Sequence, residues 1–464
     1  MQPSDFEQKE QHEQQQKQQQ FQGYQLQAYR DTSSSHSNKD QNGVLSLRKY
    51  KSRGLLPNET RTARKAQPEN SYEGRPRDRR HRQTRRVDYA KASGYSSLHL
   101  RKLSNFNDAP INKSMDQSEE HKGIVGLANI GNTCYMNSVI QALRNSADLT
   151  SFFFEGRQDE FFKNKDQAKP SIVMTKSYVD LIKMLWAGKK PSFVRPEGFF
   201  QDMSRCVRNT GFDQFQLRMA HDSHEFLMFL LDSFHESIAE EVNITILRDP
   251  PKNESEETVQ KALEAWKQQF QKSYSPLIDI LFGLYHREMC CQGCQKKSSS
   301  WEMFNCLKVA PPKNGEAPPS IKELLLKEME EETITEYACD HCKPARTTAI
   351  RKTKLWKLPR CLFVVVKRFT PDGRKAHGPV AVNYNDELNF QDFFSEHSPE
   401  PSREKNYRLY ATVDHHGNAG GGHYTAQAES PLTQKWYGYN DDSTHPLPHP
   451  SIGSSTYILF YRTV

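Results

Sequence analysis

Two stretches of this 464-residue sequence carry side chains suited to covalent chemistry. The first is GLANIGNTCYMNS, Gly126 to Ser138. Cys134 stands where a Gly/Asn-rich turn gives way to an apolar, periodic run. The thiolate is the nucleophilic form of cysteine, and a helix N-terminus lowers a thiol's pKa through its unsatisfied N–H groups. The turn IGNT suits a sharp lead into such a helix. Asn129, five residues upstream, could set a side-chain amide near the same point and form an oxyanion hole with the backbone N–H of Cys134. From this stretch alone, a buried cysteine opening an ordinary helix reads equally well.

The second stretch is GGGHYTAQAES, with His423 behind three glycines that permit close backbone approach. Gly421 and Gly422 are candidate substrate contacts. A strand after His423, the turn SPLT and the strand KWYGYN suggest a hairpin centred between Pro431 and Leu432. Positions summing to 863 would then face each other, and His423 would face Asn440. An amide oxygen accepting from one ring nitrogen, with the other turned to a thiol, is what a general base needs.

Cys291-Gln-Gly-Cys294 and Cys339-Asp-His-Cys342 form two CxxC pairs with 44 residues between Cys294 and Cys339. Each pair makes a knuckle, and four thiolates make a closed tetrahedral zinc site that leaves no ligand position for water. One structural Zn2+ is expected and no cofactor for catalysis. Cys290 competes with Cys291 as a ligand. Cys206, Cys306 and Cys361 read as core residues. Asp222 and Glu225 read as a helix capping box, and also as carboxylates facing a cleft that hold a cationic peptide.

The elements that must position these residues show in the hydrophobic periodicity. Met136, Val139, Ile140 and Leu143 repeat at helical spacing, as do Leu227, Leu230, Leu231 and Phe234 in HDSHEFLMFLLDSFHE. ETVQKALEAWKQQF and IKELLLKEMEEE read as further helices. From about Ile278 short β-rich runs follow: LKVA, TTAIRKT, CLFVVVKRF, YRLYATVDHH, GHYTAQAES, KWYGYN and TYILFYR. Helices first and strands later give an α+β class.

Composition divides the chain. Hydrophobic residues make up 35%, and mean hydropathy is −0.86. Residues 1–28 hold twelve Gln, and Gly74 to Arg86 holds seven Arg. We read residues 1–122 as a disordered Gln-rich and Arg-rich tail and residues 123–464 as the folded domain. The net charge of +7 lies largely in that tail. Its arginines read either as a solvated charge run or as a segment for nucleic acid or a nuclear import receptor. The start, MQPSDFEQKEQ, lacks a signal pattern and no apolar run approaches membrane-spanning length. An odd count of nine cysteines then favours reduced thiols and an intracellular protein, in cytoplasm or nucleus, without membrane partners.

Together these motifs resemble the ubiquitin-specific proteases, papain-like cysteine peptidases that remove ubiquitin. GLANIGNTCYMNSVIQAL resembles that family's cysteine box and HDSHEFLMFLLD its central helix. CQGC with CDHC resembles its finger zinc site, LPRCLFVVVKRF its core strand, and YRLYATVDHHGNAGGGHYTA through WYGYNDDS its histidine box. The order matches over roughly residues 123–464. The resemblance implies a helical thumb, a β-rich palm and zinc-bearing β fingers that cradle ubiquitin. It implies Cys134 as nucleophile, His423 as general base, Asn440 as third member with Asp441 assisting, and Asn129 as oxyanion donor. The expected activity is hydrolysis of the (iso)peptide bond after ubiquitin's C-terminal glycine on protein conjugates. A protease for another ubiquitin-like modifier and a non-catalytic ubiquitin-binding adaptor are the rival readings. Two places depart from the family pattern: His224 stands where Gln is frequent, and Tyr384-Asn385 where Phe-Pro is frequent.

Overall fold

The computed structural model describes residues 85–89 and 123–464, apart from 188–191, 209, 247–248, 313–314, 316, 371 and 400–405. The Gln-rich tract and most of the Arg-rich run lie outside the described residues. Arg85–Tyr89 forms strand β1, which pairs in parallel with Val242–Ile246.

The helical part comes first, as the periodicity predicts. The short β2 (Gly126–Leu127) leads to α1 (Cys134–Arg144), α2 (Ala147–Phe154), α3 (Arg157–Phe162) and α4 (Pro170–Trp186). β3 (Phe193–Val194), α5 (Glu197–Cys206) and α6 (Ser223–Ile238) follow. Then come β4 (Val242–Ile246), α7 (Glu254–Phe270) and the single turn α8 (Ile278–Leu281). Every residue of α1 is buried, including Asn137, Gln141 and Arg144. Buried polar groups must be paired. Gln141 donates to Val125 O, and Arg144 donates to Gly123 O and to Gln141. The Arg144 guanidinium also lies over the rings of Trp186 and Tyr439. Met136, Val139, Ile140 and Leu143 are fully buried, each worth about 1.5–3 kcal/mol of transfer free energy.

The strands divide into two sheets. β5 (Gly283–Cys291), β6 (Lys297–Phe304), β8 (Glu332–Tyr337) and β9 (Thr347–Lys357) make the fingers, in the order β6-β5-β9-β8. The palm holds β7 (Cys306–Val309), β10 (Cys361–Val366), β11 (Leu388–Asn389), β12 (Asn406–Asn418), β13 (Gly421–Glu429), β14 (Trp436–Asn440), β15 (Ser443–Leu447) and β16 (Thr456–Thr463). Its order is β15-β14-β13-β12-β16-β10-β7, with β11 on β12. Helix α9 (Ile321–Glu328) covers one face, opened by a full capping box between Ser320 and Glu323.

The uninterrupted run CLFVVV follows from this layering. Phe363 and Val365 face the thumb core, whereas Leu362, Val364 and Val366 face the core under α9. A strand covered on both faces has no polar side to alternate with. The helix read as IKELLLKEMEEE ends at Glu328, and Glu332 already belongs to β8.

Candidate active site

The turn before α1 is a web of side-chain bonds. Asn129 Oδ1 accepts from the backbone N–H of Gly131 at 3.0 Å and of Thr133 at 3.2 Å. Gly131 and Asn132 take left-handed φ values of 116° and 53°, which glycine and asparagine tolerate best. Arg218 pins the turn by donating to Ile130 O at 2.6 Å and to Glu197 at 2.6 Å. Cys134 therefore opens the helix as the sequence predicts, with its side chain buried. The thiol's pKa moves opposite to the sequence expectation. Burial pushes it up, and the Asp441 carboxylate adds to that. The backbone N–H groups of Tyr424, Tyr135 and Cys134 itself pull it down without prevailing. The helix end acts in the direction expected, but removal from water is the larger effect.

His423 meets Asn440 through Nε2 and Oδ1 at 2.6 Å. The register that delivers this contact differs from the sequence expectation. Glu429 pairs with Trp436 and Ala426 with Tyr439, so paired positions sum to 865, two beyond the expected 863. The turn is longer than SPLT, closing with Ser430 N–H to Lys435 O and with Gln434 at φ 56°. Asn440 is therefore not directly opposite His423 and reaches it diagonally. Across β12, His423 faces His416 and Gly422 faces Gly417.

Asp441 is the joint between the two halves of the site. Its left-handed φ of 49° turns the carboxylate back toward α1. Oδ2 accepts from Asn129 Nδ2 at 3.0 Å and lies 3.9 Å from His423 Nε2. Oδ1 accepts from Asn137 Nδ2 at 2.8 Å, and the backbone carbonyl accepts from Leu127 N–H at 2.8 Å. Sequence reasoning missed Asn137. Its signal was a polar residue on the buried face of the helix, three places after Cys134.

A groove runs past Cys134 between Tyr135, His221 and Asp222 on the thumb and Phe369, His415, Tyr424 and residues 418–422 on the palm. Gly421 and Gly422 both line it. A Cβ on Gly422 would lie 2.3 Å from His416 O and 2.4 Å from His415 Nε2, whereas Gly421 faces open space. Asp222 caps α6 by accepting from the His224 and Glu225 N–H groups, and takes the Tyr457 hydroxyl at 2.8 Å. Glu225 departs from its expected cleft position. It turns to Gln214 at 3.4 Å and lies off the groove lining, and burial with the Asp222 charge pushes it up to about 7. His224 Nε2 sits 3.6 Å from Cys306 Sγ, tying α6 to β7, and burial drives its pKa down to about 3. Tyr384 packs against Trp436 and His449.

The four sulfur atoms of Cys291, Cys294, Cys339 and Cys342 lie within 4.8 Å of one another. Cys291 and Cys342 are 3.8 Å apart, and Cys294 and Cys339 are 3.6 Å apart. Sulfurs bound tetrahedrally at about 2.3 Å from Zn2+ would be about 3.8 Å apart, so the cluster fits that ion. Cys290 falls on the other side of β5 and is not among the four clustered sulfurs, whereas Cys291 is. Cys206, Cys306 and Cys361 are buried, as expected. Among the described residues no helix is long and apolar enough to cross a membrane.

With the thumb, palm and fingers and this site described, the class of the protein follows. The chain matches the ubiquitin carboxyl-terminal hydrolase family over residues 125–461 and belongs to it, as a ubiquitin-specific protease by fold. Among its relatives, ubiquitin carboxyl-terminal hydrolase 2 of Bos taurus is 27% identical over 370 residues, covering 78% of this chain and 58% of the relative. Ubiquitin carboxyl-terminal hydrolase 21 of Mus musculus is 28% identical over 368 residues, covering 73% and 62%. The chain thus spans a little over half the length of these two relatives. Among solved structures, the SAGA DUB module of Ubp8, Sgf11, Sus1 and Sgf73 bound to monoubiquitin aligns with a TM-score of 0.57 at 20% identity. It covers 76% of this chain and 72% of that one, a likeness of fold.

Proposed function

We propose that this chain is a thiol-dependent deubiquitinase that hydrolyses the bond after the C-terminal glycine of ubiquitin on protein conjugates. The observation that carries the reading is the His423 Nε2 to Asn440 Oδ1 contact of 2.6 Å, made beside the groove that holds Cys134. With Nε2–H donating to the amide oxygen, Nδ1 keeps its lone pair. Cys134 Sγ attacks the glycine carbonyl carbon while its proton passes to His423 Nδ1. One hydrogen of Asn129 Nδ2 goes to Asp441, and the other is assigned to the oxyanion with the Cys134 N–H. The C–N bond then breaks and the imidazolium protonates the leaving lysine amine. Water, deprotonated by His423, hydrolyses the thioester and restores the thiol. Asn440 orients the imidazole, and Asp441 supports both. Asp222 would meet a cationic stretch of the ubiquitin tail. Gly421 and Gly422 would leave room for the tail beside them.

Residues 123–464 are proposed as the catalytic domain, and 1–122 as a tail serving nuclear import or nucleic-acid binding in an intracellular setting. One zinc held by Cys291, Cys294, Cys339 and Cys342 would staple the fingers. Ubiquitin–fluorophore hydrolysis by purified protein tests the central reading: Cys134→Ala should reduce it to background. Unchanged hydrolysis in that variant would sink the proposal. Activity probes built on other ubiquitin-like modifiers should label the wild type poorly.

A further inference from the structure

We propose that Lys375 is a positioning residue: its ammonium locks the end of β12 and thereby sets the placement of His423. The proposal rests on the deubiquitinase reading, in which His423 is the base.

The β12–β16 ladder ends at Asp414 opposite Thr456, with one further bond from His415 N–H to Ser455 O. In an antiparallel strand a residue's N–H and C=O point to the same side. The carbonyl of His415 therefore faces the side that β16 has vacated, where a buried carbonyl left unpaired costs free energy, and exposed Gly417, at φ 105°, presents its carbonyl to the same cation. Lys375 Nζ fills the gap, donating to His415 O at 2.5 Å and to Gly417 O at 3.3 Å. The two carbonyls flank His416, the residue directly opposite His423. Gly417, the second carbonyl's owner, faces Gly422. Lys375 thus grips one strand at the rungs that carry the proposed base on the other.

The grip is useful only if Lys375 is itself held. Phe369 is bridged antiparallel to Lys375, Thr370 N–H is bonded to Arg374 O and Ala376 N–H to Arg368 O. Buried Arg368 anchors the segment by donating to Gly378 O at 2.9 Å, Ala376 O at 3.2 Å, Gly453 O at 2.8 Å and Thr456 O. The Phe369 ring stands edge-on to His415, 5.1 Å between centroids.

The charge on Lys375 is tunable. Burial, then the Arg368 guanidinium, push its pKa down to about 8, against the opposing pull of Asp414. His415 faces it as well, and burial with the Lys375 charge holds that imidazole neutral, down to about 3, with His416, His377 and His423 pushing the same way more weakly. Below pH 8 the ammonium grips both carbonyls; above it a neutral amine holds them less firmly.

The test uses full-length wild type, Lys375→Met and Lys375→Arg. Ubiquitin–fluorophore kcat and KM are measured from pH 6.5 to 9.5, with hydrogen exchange over residues 415–424 in parallel. Lys375→Met should lose about 10- to 100-fold in kcat, the scale of a displaced catalytic group, with KM little changed and faster exchange in that segment. Lys375→Arg, whose guanidinium keeps its charge, should restore kcat and move the alkaline fall in kcat/KM to higher pH. Wild-type kcat with unchanged exchange in Lys375→Met overturns the proposal, and so does an alkaline limb that stays in place in Lys375→Arg. If the wild type does not cleave ubiquitin–fluorophore, the functional reading fails separately. Exchange over 415–424 then decides the latch alone, supporting it if faster in Lys375→Met and overturning it if unchanged.

Discussion

Asp441 gathers more of the site than the asparagine before it. Asn440 makes one bond from an exposed position, whereas Asp441 accepts from Asn129, Asn137 and Leu127 and stands near His423. Asp441→Ala should therefore lower kcat/KM more than Asn440→Ala, by about a hundredfold or more, within the range for losing a group that orients a catalytic histidine. The same carboxylate helps hold the Cys134 thiol up. In Asp441→Asn that negative charge is gone, the thiolate is favoured, and the pH midpoint of Cys134 alkylation by iodoacetamide should fall. A midpoint that stays or rises would contradict the assignment. The helix start at Cys134 and the meeting of His423 with Asn440 were legible in the sequence because each sits in a short segment with its own turn chemistry. The thiol's upward shift was not. Helix-end polarity is a local property, but burial under Tyr424 and the palm is supplied by residues far along the chain.

At the scale of elements, helix phase was the clearest signal. All four periodic residues in α1, and all four in α6, are buried. The palm hairpin was half legible: its strands lie where expected, but its register is displaced by two because Gln434 adopts a left-handed conformation that no glycine announces. The reach of the Asn440 side chain absorbs the difference. The capping box at Asp222 and Glu225 was also half legible. Asp222 caps α6, whereas the Glu225 carboxylate turns to Gln214. That choice has a pH consequence. Glu225 titrates near 4.5 unfolded and at about 7 folded, so the folded protein binds the extra proton. Its contribution to stability is fully present below about pH 4.5 and is lost as pH rises through 7. Glu225→Gln keeps the neutral shape, so it should raise the melting temperature at pH 8 and leave it little changed at pH 4. An equal change at both pH values would show that Glu225 is ionised freely in the fold.

The whole molecule distributes its stability unevenly. The palm is covered on both faces, whereas most residues of β8 at the edge of the fingers are exposed. Metal binding there should replace the missing core. Metal analysis should give about one zinc per chain, the number one closed four-thiolate site takes. Chelation or Cys342→Ser should lower the melting temperature and speed exchange in the fingers before the palm. No zinc in wild type, or loss of exchange protection in the palm first, would count against this. The CxxC pairs were legible from spacing, and strand alternation admits only one of Cys290 and Cys291, but which of them it is depends on how β5 sits against the second pair. Strand β1 was not legible. Arg85–Tyr89 continues a run of arginines, and nothing local marks it as the parallel neighbour of β4.

Asn129 and Asp441 bond across 312 positions of sequence, and β16 lies in the middle of the palm between β12 and β10. A ribosome delivers the nucleophile early and the base, its orienting groups and the central strand much later. A nascent chain that has exposed Cys134 has no partner for it and no finished groove beside it. If the proposed activity holds, the chain stays silent throughout its own synthesis, and protein fragments left by premature termination or by cleavage ahead of β16 should be inert.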